Sequence, residues 1–254
     1  MIVPSRSVDI LLLESYLKTL RLPTFLKNYC AFAEDATQAN QSYERYLLAL
    51  VEEESLQRER NRQARRIKGA HFPVLKELAD FDFSALPSLN AQQLMTLARG
   101  EYIQKAEALL LIGNPGLGKT HLATALGLEA CRQGHRVRFY NTAALVNELI
   151  AAQEAHELQK LLNTALRHKL IILDELGFIP LTPTGAQLIF QFCSTLYERV
   201  AMIVTTNLRF ADWVQVFGDE RLTAALLDRL THHAHILEFT GADSYRFRQR
   251  LQQD

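Results

Sequence analysis

The stretch Gly113-Asn114-Pro115-Gly116-Leu117-Gly118-Lys119-Thr120 decides the fold of this chain. It follows the short apolar run at residues 108–112 and precedes a helical pattern, so it joins a strand to a helix. Glycine allows backbone N–H groups to turn inward and approach phosphate oxygens without a Cβ clash. The spacing Gly-x-x-x-x-Gly-Lys-Thr in this context predicts a phosphate-binding loop.

The last residues of this loop carry the chemistry that a nucleoside triphosphate needs. Lys119 brings a mobile positive charge to the β- and γ-phosphates, and the hydroxyl of Thr120 is a predicted ligand of Mg²⁺. The helix that starts near Lys119 adds the positive end of its dipole. The cofactors predicted from these residues are ATP and Mg²⁺.

A second motif is the run Leu170-Ile171-Ile172-Leu173-Asp174-Glu175. Four consecutive apolar residues predict a buried strand, and the two acids follow at its carboxyl end, where open α/β sheets bind ligands. We expect Asp174 to orient Mg²⁺ and Glu175 to polarise the attacking water as general base. A second acid beside the magnesium acid favours a hydrolase over a kinase that phosphorylates a small acceptor.

A third element, Thr205-Thr206-Asn207, follows another apolar strand. If that strand lies between the strands that carry the first two motifs, Asn207 points at the γ-phosphate and positions water. The alternative is that Asn207 caps a turn or a helix. The context of the two stronger motifs favours the functional role.

The bulk composition is that of an ordinary globular protein. The chain has 254 residues, 48% of them hydrophobic, with 28 basic and 28 acidic side chains, so net charge excludes no partner. Three widely spaced cysteines give no disulfide framework or zinc pattern, which is typical of a reducing cytoplasm. The N-terminal apolar run is bracketed by acids, and no run approaches the ~18 apolar residues of a membrane span. We therefore expect a cytoplasmic protein.

The predicted secondary structure changes near residue 100, from helices alone to strands that alternate with helices. Residues 8–20 and 41–57 show apolar positions at helical spacing, Pro23 separates the first two helical stretches, and Asn90 marks a further helix start. After residue 100, five short apolar strands alternate with helices, which indicates a parallel sheet covered on both faces. We predict a helical N-terminal domain at 1–70, a helical linker at 71–100 and an α/β ATPase domain at 101–254.

One segment of the helical region suggests a nucleic-acid contact. The helix that begins near residue 41 loses its apolar periodicity after Leu56, and residues 58–68 hold six basic side chains and one acid. Such side chains can neutralise successive DNA phosphates without reading sequence. The alternative is a solvated helix whose arginines pair with Glu52, Glu53 and Glu54. The predicted DNA contacts are Arg58, Arg60, Arg62, Arg65, Arg66 and Lys68.

The motifs GNPGLGKTH, LIILDELG, TTN, ALLDRLTHHAH and GADSYRFRQR, in this order, resemble the IstB-like branch of AAA+ ATPases. These are the helper proteins of two-gene bacterial insertion sequences and are related to DnaC-type helicase loaders. The resemblance includes the N-terminal segments LRLPTFLKNY, ERYLLALVEEE and RNRQARRIKGAHFP, and so spans nearly the whole chain. It implies an AAA+ P-loop core with a five-stranded parallel sheet of order 5-1-4-3-2, preceded by a small all-α domain.

The resemblance also implies roles for single residues. Lys119 and Thr120 match Walker A, whose motif extends to His121; Asp174 and Glu175 match Walker B, and Asn207 matches sensor I. Arg229 matches a finger that reaches the ATP of a neighbouring subunit, with Arg221 as an alternative, and Arg246 matches sensor II. No sizeable C-terminal lid is expected, since the chain continues for only 8 residues after Arg246.

By this resemblance the protein assembles with itself on double-stranded DNA in an ATP-dependent way and stimulates a cognate transposase, with hydrolysis as a switch. Three alternatives remain: a loader of a replicative helicase, a kinase for a small acceptor, and a scaffold that binds ATP but barely hydrolyses it. Glu175 argues against the kinase. A metal site at His232, His233 and His235 is not expected, because no carboxylate or cysteine lies at ligand spacing.

Overall fold

The computed structural model describes residues 8–83, 86 and 89–240. The chain divides into two compact units, residues 1–65 and 66–254. No helix in the described part of the chain is both long enough and apolar enough to cross a membrane. The predicted domain boundaries at residues 70 and 100 stay predictions.

The first unit is helical, as predicted. Helix α1 spans Val8–Thr19, α2 spans Pro23–Gln38 and begins at the predicted proline, and α3 spans Tyr43–Ala70 and continues into the second unit. The carboxylate of Glu54, on α3, is 5% exposed. It accepts hydrogen bonds from the backbone N–H of Thr24 at 2.9 Å and from Nε of Arg58 at 2.6 Å. The bond from Thr24 ties α2 to α3 within the unit, whereas the bond from Arg58 lies within α3.

The apolar stripe predicted on the first helix is only partly buried within this unit. Leu17 is buried, whereas Leu12, Leu13, Tyr16 and Leu20 are each more than 40% exposed. The spacing of these apolar residues predicted that they share one face of a helix. It did not predict that most of them stay exposed within this unit.

The second unit is an α/β fold built on a five-stranded parallel sheet. The strands are β1 (Ala108–Gly113), β2 (Val137–Asn141), β3 (Leu170–Asp174), β4 (Ala201–Thr206) and β5 (Ala234–Phe239). Their spatial order is β2-β3-β4-β1-β5, and every neighbouring pair is parallel. This is the predicted order read from the opposite edge, so the fold prediction is confirmed.

Helices cover both faces of this sheet. They are α4 (Ala91–Ala98), α5 (Glu101–Gln104), α6 (Lys119–Arg132), α7 (Thr142–Glu154), α8 (Leu158–Ala165), α9 (Pro183–Leu196), α10 (Val214–Phe217) and α11 (Glu220–Thr231). The start of α4 matches its predicted cap, since the Asn90 side chain accepts from the N–H groups of Gln92 and Gln93. At the start of α9, Thr182 precedes Pro183 and its side chain accepts from the N–H of Gly185. Side-chain oxygens at these positions satisfy backbone donors that the first helical turn leaves unpaired.

Alternate side chains of each strand enter two separate cores. Leu109 and Ile172 pack with α6 on one face, whereas Leu110 and Ile171 pack with α7, α9 and α11 on the other. All four apolar residues of β3 are fully buried. A strand that is covered on both faces consists of consecutive apolar residues. The apolar run in the sequence therefore predicted the bounds of β3 closely.

Candidate nucleotide site

The phosphate loop connects the carboxyl end of β1 to the amino end of α6, in the middle of the sheet. Gly113, Gly116 and Gly118 have φ angles of 152°, 81° and 92°, which few other residues adopt. A Cβ at Gly113 would lie 2.3 Å from the carbonyl oxygen of Phe239, at the end of β5. The loop can therefore pass β5 only because residue 113 is glycine.

Lys119 is the first residue of α6 and is 9% exposed. Its Nζ donates to the carbonyl oxygens of Gly113 and Asn114, at 2.6 and 2.8 Å. The amine therefore lies across the loop, with its charge at the concave side where backbone N–H groups of a phosphate loop converge.

Thr120 and Asp174 meet at the next position. The Thr120 hydroxyl donates to Oδ1 and Oδ2 of Asp174 at 2.9 and 3.2 Å, and the Thr205 hydroxyl donates to Oδ1 at 2.6 Å. Burial raises the pKa of the Asp174 carboxyl, and the bonds from Thr205 and Thr120 partly offset that rise. Hydroxyl and carboxylate oxygens are the protein ligands that Mg²⁺ takes beside substrate phosphates, so this pair fits the predicted ion.

Glu175 follows Asp174 and has a positive φ of 60°, in the left-handed region. Its N–H donates to the hydroxyl of Thr205 at 2.9 Å, and its Oε2 accepts from Nδ2 of Asn141 at 3.1 Å. Asn141 ends β2, and its Oδ1 caps α7 by accepting from the N–H of Ala144. The carboxylate is thus held by an amide of the neighbouring strand.

Asn207 follows β4, directly beside β1 in the sheet. The strand order thus meets the condition under which its functional role was predicted. Its Oδ1 is buried and has no hydrogen-bond partner among the described residues. A buried amide oxygen without a partner is costly in a folded protein, and such groups occur where a ligand or water binds. The role of Asn207 in positioning water stays a prediction.

His121 contacts the segment that precedes the sheet. Its Nε2 lies 3.0 Å from the carbonyl oxygen of Glu77, and its ring packs edge-on against Phe81. A Cβ at Gly118 would lie 3.1 Å from Cε2 of the same Phe81. Residues 77–81 therefore cover the start of α6 beside the loop.

The structure places the two finger candidates at opposite ends of α11. Arg229 is half-buried near the end of the helix, where Nη1 donates to the carbonyl of Ala225 at 2.7 Å and Cζ lies 4.9 Å from the Phe190 ring. It lines a pocket of about 340 Å³ at the amino ends of β1 and β4, which is the end of the sheet opposite the phosphate loop.

Arg221, the other finger candidate, is exposed in the first turn of α11. Within the described residues, neither arginine forms a hydrogen bond or ion pair with the phosphate loop or with Asp174. Arg246 lies outside the described residues.

The predicted DNA contacts lie on α3, which is helical through Ala70. Arg58 pairs with Glu54 and also donates to the carbonyl of Arg21 at 2.6 Å, as the alternative of internal pairing predicts. Arg62 lies 3.5 Å from Glu59, Arg65 bonds the carbonyl of Asn61, and Arg66 bonds that of Cys131. Arg60 and Lys68 are exposed. The DNA role of this segment stays a prediction.

Sequence reasoning missed two residues of the site. Asn141 was not singled out at all, and Thr205 only as part of the run before Asn207. A polar residue at the carboxyl end of β2, beside the strand that carries Asp174, was the available signal for Asn141. Its hydrogen bond to Glu175 could be inferred only from the strand register, in which Asn141 lies opposite Asp174, the residue before Glu175.

The sheet order, the glycine-lined loop and the acids at the end of β3 define the class: this is a P-loop ATPase with an AAA+ core. A family profile described as "IstB-like ATP binding protein" matches residues 15–253. The chain belongs to this family.

Two ATP-binding proteins of bacterial insertion sequences support this family assignment. The chain is 35% identical over 243 residues to an ATP-binding protein of insertion sequence IS5376 from Geobacillus stearothermophilus, covering 95% of this chain and 96% of the relative. It is 34% identical over 238 residues to the ATP-binding protein of insertion sequence IS21 from Pseudomonas aeruginosa, covering 94% and 89%.

Solved structures share the fold. The DnaC helicase loader superposes with a TM-score of 0.50 at 23% identity, covering 59% of this chain and 87% of DnaC. AMPPCP-bound DnaA from Aquifex aeolicus superposes with a TM-score of 0.57 at 18% identity, covering 72% of this chain and 57% of DnaA. At these identities the likeness establishes the AAA+ fold alone.

Proposed function

We propose that this protein hydrolyses ATP and uses that reaction as a switch for assembly on double-stranded DNA, where it stimulates the transposase of its insertion sequence. The observation that carries the ATPase part is the bonding of Thr120 and Thr205 to Asp174, with Glu175 directly beside them. The insertion-sequence relatives, 34–35% identical over nearly their whole length, support the transposition part. Action on chromosomal DNA implies a cytoplasmic location.

The proposed reaction breaks the bond between the γ-phosphorus and the β–γ bridging oxygen of ATP. Water attacks the γ-phosphorus, Glu175 accepts a proton from that water, and ADP and phosphate leave. Lys119 binds the β- and γ-phosphates, and the amide of Asn207 orients the water. Mg²⁺, held by Thr120 and Asp174, supplies charge neutralisation when it is bound.

Two further roles follow from the same proposal. Because Arg229 lies at the edge of the sheet away from its own phosphate loop, it can contribute to hydrolysis only at the site of a neighbouring copy. Arg60 and Lys68 of α3, which are exposed, are the clearest of the predicted DNA contacts. We expect the DNA contact to be insensitive to sequence, since arginines and lysines on a helix bind phosphates and not base edges.

The test is a strand-transfer assay with the transposase encoded beside this protein, a labelled transposon end and a plasmid target. Integration should rise when this protein and ATP are added together. The Lys119→Ala variant, which removes the phosphate-binding charge, should not stimulate. Unchanged integration, combined with ATP-dependent binding to a replicative helicase, would instead identify a helicase loader.

A further inference from the structure

A cluster of basic side chains lies at the amino ends of β2 and β3, on the sheet edge opposite the phosphate loop. The backbone N–H groups of Lys169 and Leu170 both donate to the carbonyl of Arg136, at 2.8 and 3.3 Å. The N–H of Ala201, at the start of β4, donates to the carbonyl of Lys169 at 3.2 Å. Segments distant in sequence are therefore held side by side. We name Arg136, Arg138, Arg167 and Lys169 the β2–β3 basic edge.

The positive charge of this edge is not neutralised locally. Arg136, Arg167 and Lys169 are exposed, and Arg138 lies half-buried with Cζ 5.0 Å from the Tyr140 ring. Within the part of the chain that the structure describes, none of these four forms an ion pair with a carboxylate.

Two basic side chains elsewhere in the same unit form ion pairs. Arg132 pairs with both Glu77 and Glu129, and Lys160 pairs with Glu157. Among the described residues of this unit, the exposed Lys105, Arg199, Arg209 and Arg221 also form no ion pair with a carboxylate, so what distinguishes the β2–β3 basic edge is that four cations lie together.

Two half-buried histidines lie beside this edge, and their pKa values are lowered by burial and by nearby basic side chains. Burial lowers the pKa of His135, and the charges of Lys169 and Arg66 lower it further. Burial also lowers the pKa of His168, and Arg138 and Arg136 add to that effect against the hydrogen bond to the Ala165 carbonyl. Lys169 therefore lies close to the half-buried His135, and Arg138 and Arg136 lie close to the half-buried His168.

We propose that the β2–β3 basic edge binds the phosphate backbone of duplex DNA, as a contact on the ATPase unit separate from α3. The inference rests on the proposed function. Adjacent strands are ~4.8 Å apart, so the edge presents closely spaced cations to a backbone with one charge per ~1.7 Å of helix axis.

The surroundings of the edge favour DNA over an acidic protein surface. Stable protein interfaces have an apolar centre, whereas DNA interfaces are strongly basic and polar. None of the large exposed apolar side chains in the described residues belongs to the segments at 132–140, 165–170 or 198–201. The cationic side chains of this edge thus lack the apolar core that a protein partner would need.

The test measures binding of the full chain to a labelled duplex of random sequence, with a non-hydrolysable ATP analogue and a series of salt concentrations. The test variant combines Arg136→Gln, Arg167→Gln and Lys169→Gln. Each lost phosphate contact lowers the slope of log affinity against log salt by about 0.9, so the variant should lose roughly three units of slope. Its affinity at low salt should fall at least about tenfold.

Two controls separate this site from a general charge effect and from misfolding. The variant Lys27→Gln, Arg99→Gln and Lys160→Gln removes three exposed charges that lie outside both α3 and this edge, and it should keep the wild-type slope. Arg136→Lys combined with Arg167→Lys keeps the charge and should also bind normally. If the triple variant folds poorly, Arg167→Gln alone should still reduce the slope by about 0.9.

The outcomes distinguish this inference from the function on which it rests. If the wild type binds duplex DNA and the test variants match the charge-matched control, the β2–β3 basic edge is not a DNA contact, while the proposed function stands. If the wild type does not bind duplex DNA with the ATP analogue, the proposed function and this inference both fail.

Discussion

Asn141 Nδ2 donates a hydrogen bond to Glu175 Oε2 at 3.1 Å, linking the ends of two adjacent strands. The same asparagine caps α7 with its other side-chain atom. The oxygen that accepts this bond must give it up before it can bond to water, and its position depends on where α7 begins. The pair therefore couples the proposed general base to a helix that covers the sheet.

Asn141→Ser tests this coupling, because serine keeps an oxygen that can cap α7 but removes the amide donor. Releasing Glu175 from one hydrogen bond of ~1 kcal/mol should raise ATP hydrolysis without DNA about fivefold. Steady-state phosphate release measures this effect. An unchanged or lower basal rate, with the thermal unfolding temperature preserved, would show that Asn141 does not restrain the base.

Glu175→Gln should leave ATP binding intact and slow hydrolysis by about 10²–10⁴, the usual contribution of a general base. Because ATP would persist, the assembled state on DNA should accumulate. Nucleotide affinity, single-turnover hydrolysis and particle size measure the three properties. Hydrolysis within tenfold of wild type would remove Glu175 from the role of base.

Asp174→Asn separates stability from function at the buried carboxylate. Burial raises the Asp174 pKa, so at neutral pH the ionised form costs stability that the neutral amide does not. Without nucleotide and magnesium, the variant should melt at a higher temperature, by roughly 2–4 °C for each 1 kcal/mol gained. Its ATP hydrolysis should be lost. A lower melting temperature would show that the bonds from Thr120 and Thr205 outweigh the cost of burial.

Arg229→Ala should bind ATP normally and lose hydrolysis by ~10³, if the arginine acts on the ATP of a neighbouring copy. Mixing this variant with Glu175→Gln gives the sharper test. In the mixed assembly, some ATP sites lie between a copy with an intact Arg229 and a copy with an intact Glu175. These sites should regain activity. If Arg229→Ala alone hydrolyses ATP at the wild-type rate while Arg221→Ala abolishes hydrolysis, the finger is Arg221.

Much of the fold could be predicted because its signals are local. The strand β3 is buried on both faces and reads as an apolar run, and the phosphate loop has glycines at positions whose φ angles require them. Caps such as Thr182 follow from side-chain chemistry within three residues. The strand order came from the family resemblance, since no periodicity specifies which strands pair.

The parts that could not be predicted depend on residues far apart in sequence. The bond from Asn141 to Glu175 joins positions 34 residues apart, and Thr205 reaches Asp174 across 31. The β2–β3 basic edge likewise forms only when residues near 136 and 169 are paired in the sheet. On α1, the spacing predicted a helix correctly, but burial depends on partners that the spacing does not specify.

The most direct test of the central claim is ATP hydrolysis by the purified full chain with and without duplex DNA, with particle size followed by light scattering in the same samples. The account predicts that DNA and ATP together produce a large assembly and stimulate hydrolysis, and that neither does so alone. A particle that stays monomeric and hydrolyses ATP at the same rate with or without DNA would contradict it.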